Sequence, residues 1–141
     1  MLKNEALNPT GSFKDRGICV SLAAARESGA RGVMTVSSGN AAASLATYAS
    51  SAGMDCMVLV DSGAPLEKIA QIRFMGGRCI LVDDLFEKGP EVLLDFIRGL
   101  CDGLGFWCAF SFASINPYSQ EGTKTIAYEC AVLEPDVVVC P

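Results

Sequence analysis

Short apolar runs that alternate with amphipathic stretches constrain this chain more than any other feature. Gly32–Val36, residues 56–60 and Arg78–Val82 are apolar and contain β-branched residues, and longer stretches of helical spacing separate them. A strand that is apolar on both faces has to be covered on both, so the rhythm predicts an α/β fold with a parallel sheet flanked by helices. Helices are expected over residues 12–27, stopping near Gly29, and over 40–52, ended by Gly53. A third helix uses Pro65 at its start and Gly76 at its end, with Leu66, Ile69, Ala70 and Phe74 on one face. A fourth covers residues 91–104 with Val92, Leu93, Phe96, Ile97 and Leu100 inward, and a fifth covers 120–133. Residues 106–110 read as a short strand, 136–140 as a last buried strand, and 2–5 as the tail of an earlier one.

At 141 residues the chain can bury one modest core, and one domain is the natural expectation. Half of the residues are hydrophobic and 19% are charged, a globular composition. A net charge of -5 argues against a surface made for nucleic-acid phosphates or anionic lipid. No apolar run reaches membrane-spanning length, and the first residues lack the pattern of a signal peptide, so a cytoplasmic protein is expected. Seven cysteines without any Cys-x-x-Cys pair argue against a metal site, and the apolar flanks of Cys56, Cys79 and Cys140 suit buried free thiols. The absence of histidine removes Ser-His and Cys-His nucleophilic pairs. Acid-base chemistry therefore falls to lysine, carboxylate, tyrosine or a cofactor.

Two segments carry candidate chemistry. In Asn8-Pro9-Thr10-Gly11-Ser12-Phe13-Lys14-Asp15-Arg16-Gly17, Pro9 and Gly11 mark a turn, and Ser12 with Asp15 has the spacing of a capping box. Lys14 then sits in the first turn of a helix, where the dipole disfavours an added positive charge. A neutral amine can attack an aldehyde to form an imine, although a capped surface helix with a solvated lysine has the same spacing. In Ser37-Ser38-Gly39-Asn40 a strand passes into a helix, so backbone N–H groups and hydroxyls face a position where a carboxylate can bind. An ordinary helix cap is the plain alternative there.

The first of these segments closely resembles the cofactor-lysine segment of fold-type II pyridoxal phosphate enzymes, with threonine synthase as the most similar family. Ser37-Ser38-Gly39-Asn40-Ala41-Ala42-Ala43 is similar to that family's second motif. Asn116-Pro117-Tyr118 with Glu121-Gly122-Thr123-Lys124-Thr125 is similar to its third, and the three stand in family order. The resemblance implies pyridoxal 5'-phosphate as cofactor, Lys14 as its Schiff-base lysine and the base at the substrate α-carbon, and Asn40 as the partner of the cofactor's phenolic oxygen. It implies Ser37, Ser38, Gly39 and Asn40 as the holders of the substrate carboxylate. The implied reaction is β,γ-replacement on O-phosphohomoserine, giving threonine and phosphate.

The chain departs from the family pattern where phosphate would be held. Ala41 stands in place of a hydroxyl residue and Ser119 in place of an arginine. A serine does not reproduce a bidentate guanidinium contact, so turnover of the phosphorylated substrate is expected to be poor and to improve on Ser119→Arg with Ala41→Thr. Lys124 could compensate in part, while Arg16 and Lys124 also fit ordinary helix charges, Lys124 paired with Glu121. A β-eliminating or β-replacing enzyme on serine, threonine or phosphoserine is the alternative, as is an inactive α/β fragment that needs a partner chain. On this resemblance residues 1–141 are part of a catalytic domain, with about 30–115 its small α/β subdomain and the rest part of the large one. Both ends look cut, and the glycine-rich loop for the cofactor phosphate is not recognisable. The 141 residues alone are then expected to hold cofactor weakly and to catalyse nothing, the full-length protein being a homo-oligomer acting on a small amino acid.

Overall fold

β1 (Gly32–Val36) is buried at every residue and lies inside an all-parallel sheet of order β3-β2-β1-β4, formed with β2 (Asp55–Asp61), β3 (Arg78–Val82) and β4 (Phe106–Cys108). Val33 stands opposite Cys56 on one side and Trp107 on the other. The computed structural model describes residues 2–87 and 89–139. Its helices are α1 (Lys14–Glu27), α2 (Asn40–Ser51), α3 (Leu66–Phe74), α4 (Pro90–Leu104), α5 (Pro117–Thr123) and α6 (Thr125–Ala131). Alternate strand residues serve opposite faces of the sheet. Val33, Val58 and Val60 meet Ile18 and Leu22 of α1, Leu45 of α2 and Ile72 of α3. Met34, Val36 and Leu59 meet Leu93, Ile97 and Cys101 of α4. The parallel sheet covered on both faces is as the apolar rhythm predicts. No described helix is long and apolar enough to cross a membrane.

Several local expectations are corrected. On α3 the buried pair is Ile69 and Ile72, whereas Leu66 and Phe74 are 78% and 93% exposed. This short helix touches the core along one narrow stripe, beside an edge strand. On α4 the inward stripe is Leu93, Ile97 and Cys101, one residue per turn, which leaves Val92 and Phe96 about half exposed. The helix expected over 120–133 begins earlier, with Pro117 as its first residue, and is interrupted at Lys124. At that joint the Thr123 hydroxyl donates to the Ser119 carbonyl (2.9 Å) and the Thr125 hydroxyl to the Gly122 carbonyl (2.8 Å), local bonds that compete with the backbone ladder.

Residues 136–139 form no strand, and Val137, Val138 and Val139 are exposed, because no described strand pairs with them. Cys140, expected to close that strand, lies outside the described residues. Residues 2–4 are not a strand either. Asn4 accepts from the Ala6 N–H (3.1 Å) and caps a 3-10 turn at Glu5–Leu7. Cys56 is buried as expected, and burial pushes its thiol up to about 12, while Cys79 is half buried. Cys19, by contrast, is exposed.

Candidate active site

Lys14 is the first residue of α1, two positions later than the capping-box reading places the helix start. The Ser12 hydroxyl does accept from a first-turn donor, the Lys14 N–H (3.2 Å). Asp15 does not complete the box. Its carboxylate turns inward, 2% exposed, and accepts from the Thr10 N–H (2.8 Å), from the Thr10 hydroxyl and from the Ser44 hydroxyl of α2 (2.6 Å). Gly11, with φ at +76°, closes the turn ahead of the helix, where a side chain would be strained. The Lys14 side chain is half buried, its Nζ 4.5 Å from the centre of the Phe13 ring. It makes no ion pair among the described residues.

The entrance to α2 follows directly from β1. The Ser37 N–H continues the ladder to the Leu59 carbonyl (3.2 Å), and the Ser37 hydroxyl accepts from the Gly39 N–H (3.1 Å). Gly39 occupies the cap position, no side chain caps the helix, and the space where a Gly39 side chain would stand is open. Asn40 is exposed at the first helical position, and Ser37, Ser38 and Gly39 are half buried beside it. The first-turn N–H groups of α2, which form the positive end of the helix dipole, therefore have no side-chain partner among the described residues. The strand order also reverses at β1, whose neighbours are β2 and β4, and the Ser37–Asn40 turn leaves its carboxyl end. Ligands of open parallel sheets bind at such switch points.

One buried contact relates the two entrances. Ser44 stands four residues after Asn40, one turn along the same face of α2, and its hydroxyl reaches Asp15, the neighbour of Lys14. Tyr48, a further turn along, has its hydroxyl pushed up by burial and then by the Asp15 charge. Asp15, Thr10 and Ser44 thus form a buried polar contact beside the candidate site that sequence reasoning missed. The available signal was a single hydroxyl, Ser44, inside an alanine-rich run.

Behind α1 lies α5, at a crossing that admits almost no side chain. A Cβ on Gly122 would stand 2.0 Å from the Arg16 carbonyl oxygen, and one on Gly17 would stand 2.7 Å from the Ser119 carbonyl oxygen. Ser119 is 5% exposed in this crossing, so the position that the family pattern gives to arginine is buried against α1 here. The Ser21 hydroxyl of α1 accepts from the Trp107 indole (3.1 Å) and from the Asn116 side-chain amide (2.8 Å), whose Oδ1 is buried without a partner among the described residues.

The two remaining basic candidates differ. Lys124 pairs with Glu121 on an exposed surface and is held above the usual lysine range by that contact. Arg16 is not a solvated helix charge. Its guanidinium donates to both oxygens of Glu5 and both of Glu129, and to the Thr125 hydroxyl (2.8 Å), while Lys3 bridges the same two carboxylates.

The family described as Pyridoxal-phosphate dependent enzyme matches across residues 1–141. A threonine synthase of Methanocaldococcus jannaschii is 41% identical over 145 residues, covering 99% of this chain and 34% of that protein. A threonine synthase of Halalkalibacterium halodurans is 37% identical over 144 residues, covering 99% of this chain and 39% of that protein. The chain therefore spans well under half the length of these relatives. Among solved structures, a pyridoxal 5'-phosphate-dependent aspartate racemase superposes with a TM-score of 0.78 at 31% identity, over 96% of this chain and 40% of that one. A threonine deaminase isoform from Solanum lycopersicum superposes with a TM-score of 0.74 at 25% identity, over 96% of this chain and 36% of that one.

Proposed function

We propose, from the premise that this chain belongs to the pyridoxal-phosphate dependent enzyme family, that it carries the lysine-bearing part of a threonine synthase-like lyase. The reaction is replacement on O-phosphohomoserine: phosphate leaves the γ-carbon, the elements of water add with the hydroxyl at the β-carbon, and threonine results. The observation that carries this reading is the Asp15–Ser44 bond, which relates the residue beside Lys14 to the uncapped helix that Asn40 opens.

The residues fit the cofactor at two of its ends. Its aldehyde needs an amine free of a carboxylate partner, and Lys14 offers one among the described residues. Its ring oxygen needs a donor, and the exposed amide of Asn40 supplies that. No described loop forms a recognisable cup for its phosphate. When bound, the cofactor supplies an electron sink for the bond broken at the substrate α-carbon. The protein's part is to hold and move charge. Lys14 Nζ would hold the cofactor aldehyde, and as a free amine it would take the proton from the substrate α-carbon and return one. Ser37, Ser38, Gly39 and the first turn of α2 bind the substrate carboxylate through hydroxyls and backbone N–H groups. In this reading residues 30–115 are the small α/β subdomain, Lys124 is the remaining basic candidate for the leaving phosphate, and the whole enzyme acts in the cytoplasm as a homo-oligomer.

A second reading, elimination or replacement at the β-carbon of serine, threonine or phosphoserine, is favoured by one observation. Ser119 is buried in a helix crossing and Ala41 bears no hydroxyl, so two phosphate partners are missing. The test has two parts. The longest polypeptide containing this sequence is titrated with pyridoxal phosphate, reduced with borohydride and mapped by mass spectrometry, with Lys14 expected to carry the label. The longest polypeptide containing this sequence is then given O-phosphohomoserine, with threonine and inorganic phosphate expected in equal amounts. Release of a 2-oxo acid and ammonia from serine or threonine would decide for the second reading. Indiscriminate lysine labelling without turnover would leave an inert fragment that needs a partner.

A further inference from the structure

A carboxylate withdrawn from water without a cation beside it is costly unless hydrogen bonds replace its solvation. Asp15 is in that position: it is 2% exposed, and no described basic group pairs with it. Its solvation is replaced by donors from two separate segments, the Thr10 N–H (2.8 Å) and hydroxyl ahead of Lys14, and the Ser44 hydroxyl (2.6 Å) on α2. A small apolar residue would close the α1–α2 contact at lower cost in desolvation. What the charge adds is direction, because charge-assisted bonds are short and angularly specific where apolar contacts tolerate sliding. The two segments so aligned are those that the proposed reaction needs in register, since Lys14 is the next residue and Asn40 precedes Ser44 by one turn.

We propose that Asp15 is the positioning residue of this site, its buried carboxylate setting the Lys14 amine against the Ser37–Asn40 turn through Thr10 on one side and Ser44 on the other. The inference rests on the assignment of Lys14 made above. Thr10 keeps the turn ahead of the lysine from opening, and Ser44 transmits the register of α2. Asp15 touches neither cofactor nor substrate and acts through these two links.

The test uses the longest polypeptide containing this sequence, and its first readout needs no cofactor: hydrogen exchange at the Thr10 amide. The second is the ratio of Lys14 to Lys68 labelling by pyridoxal phosphate and borohydride, with Lys68, exposed on α3, as the internal standard. Asp15→Asn should speed exchange at Thr10 and lower the labelling ratio, each by about tenfold, the size expected for a lost charge-assisted bond. Ser44→Ala should lower the ratio and leave Thr10 protected, because it cuts only the link to α2. Thr10→Ala should speed exchange and lower the ratio, and Thr10→Ser, which keeps the hydroxyl, should stay within about twofold of the unaltered chain. Should Asp15→Asn fail to fold, Thr10→Ala in its half-exposed turn decides the matter. A ratio that stays constant in Asp15→Asn or Thr10→Ala, whatever the exchange does, would overturn the proposal. An unaltered chain that labels Lys14 no faster than Lys68 would instead sink the lysine assignment, and with it the purpose given to Asp15. The exchange data would still show whether the clamp exists.

Discussion

At the entrance to α1 the chain supplies its own partners, Ser12 accepting from the Lys14 N–H and Asp15 drawing in Thr10 and Ser44, whereas the entrance to α2 has Gly39 at its cap and no side chain that closes it. The first helix is also held from behind, by a crossing with α5 so close that Gly122 lies against the backbone of Arg16. The Asn40 end of α2 is exposed. A helix end that is satisfied internally has nothing left for a ligand and is fixed in place. One left open keeps its N–H groups and dipole for an anion. The two ends suit two tasks, holding a reactive amine still and receiving a charged group.

The comparison breaks most decisively at Lys14. Lys14→Ala should remove cofactor-dependent borohydride labelling at that site and all turnover in the longest polypeptide, as mapped by mass spectrometry and assayed by phosphate release. Retained activity would mean that the closed entrance holds no reactive group. Next in size is the crossing behind α1. Gly122→Ala sets a Cβ against the Arg16 carbonyl and should cost about 1–3 kcal/mol or more, visible as a fall of about 5 °C or more in melting temperature. Ser119→Arg forces a guanidinium into the same crossing, so destabilisation is expected in place of the gain in phosphorylated-substrate turnover that the sequence pattern implies.

The open entrance should respond differently. Asn40 is exposed, so Asn40→Ala should change stability by no more than about 0.5 kcal/mol while altering the cofactor absorbance and lowering activity by about tenfold. Unchanged spectra and kinetics would show that the entrance to α2 plays no part. The smallest effect concerns the ion cluster that joins the amino terminus, α1 and α6. Arg16 holds the Glu5 and Glu129 carboxyls at about 2, below their ordinary value of 4.5. Their folded-state values lie beneath the unfolded ones, so this contribution is complete above pH 4.5 and is lost as pH falls through about 2. The melting temperature should therefore fall with acid more steeply in the unaltered chain than in Arg16→Gln at low salt. Glu129 is 48% exposed in its side chain, which keeps the difference small and sensitive to screening.

What could be read along the chain and what could not divide by distance in sequence. β1 and β3 occupy the residues that the apolar runs indicate, and α1 ends before Gly29, whose φ is +75°, because these features depend on each residue and its near neighbours. The lysine at a helix mouth and the strand-to-helix turn at Ser37–Asn40 are local in the same way. The inward face of α3 was misread, since Ile72 competes with Leu66 and Phe74 for a core whose position periodicity alone does not supply. The break at Lys124 was hidden for a related reason. It coincides with two threonine hydroxyls that bond carbonyls within the folded segment.

By itself, then, the sequence determined the parallel α/β rhythm, the place of Lys14 in the first turn of a helix and the strand-to-helix turn at Ser37–Asn40. Only the tertiary structure decided which polar groups go inside. Asp15 has the spacing of a surface capping residue and becomes a buried clamp because Ser44, 29 positions away, arrives opposite it. Ser119 has the position of a substrate contact and becomes part of a helix crossing because Gly17 and Gly122 let two backbones meet. Burial is a property of a pair of surfaces, and its second surface lies elsewhere in the chain.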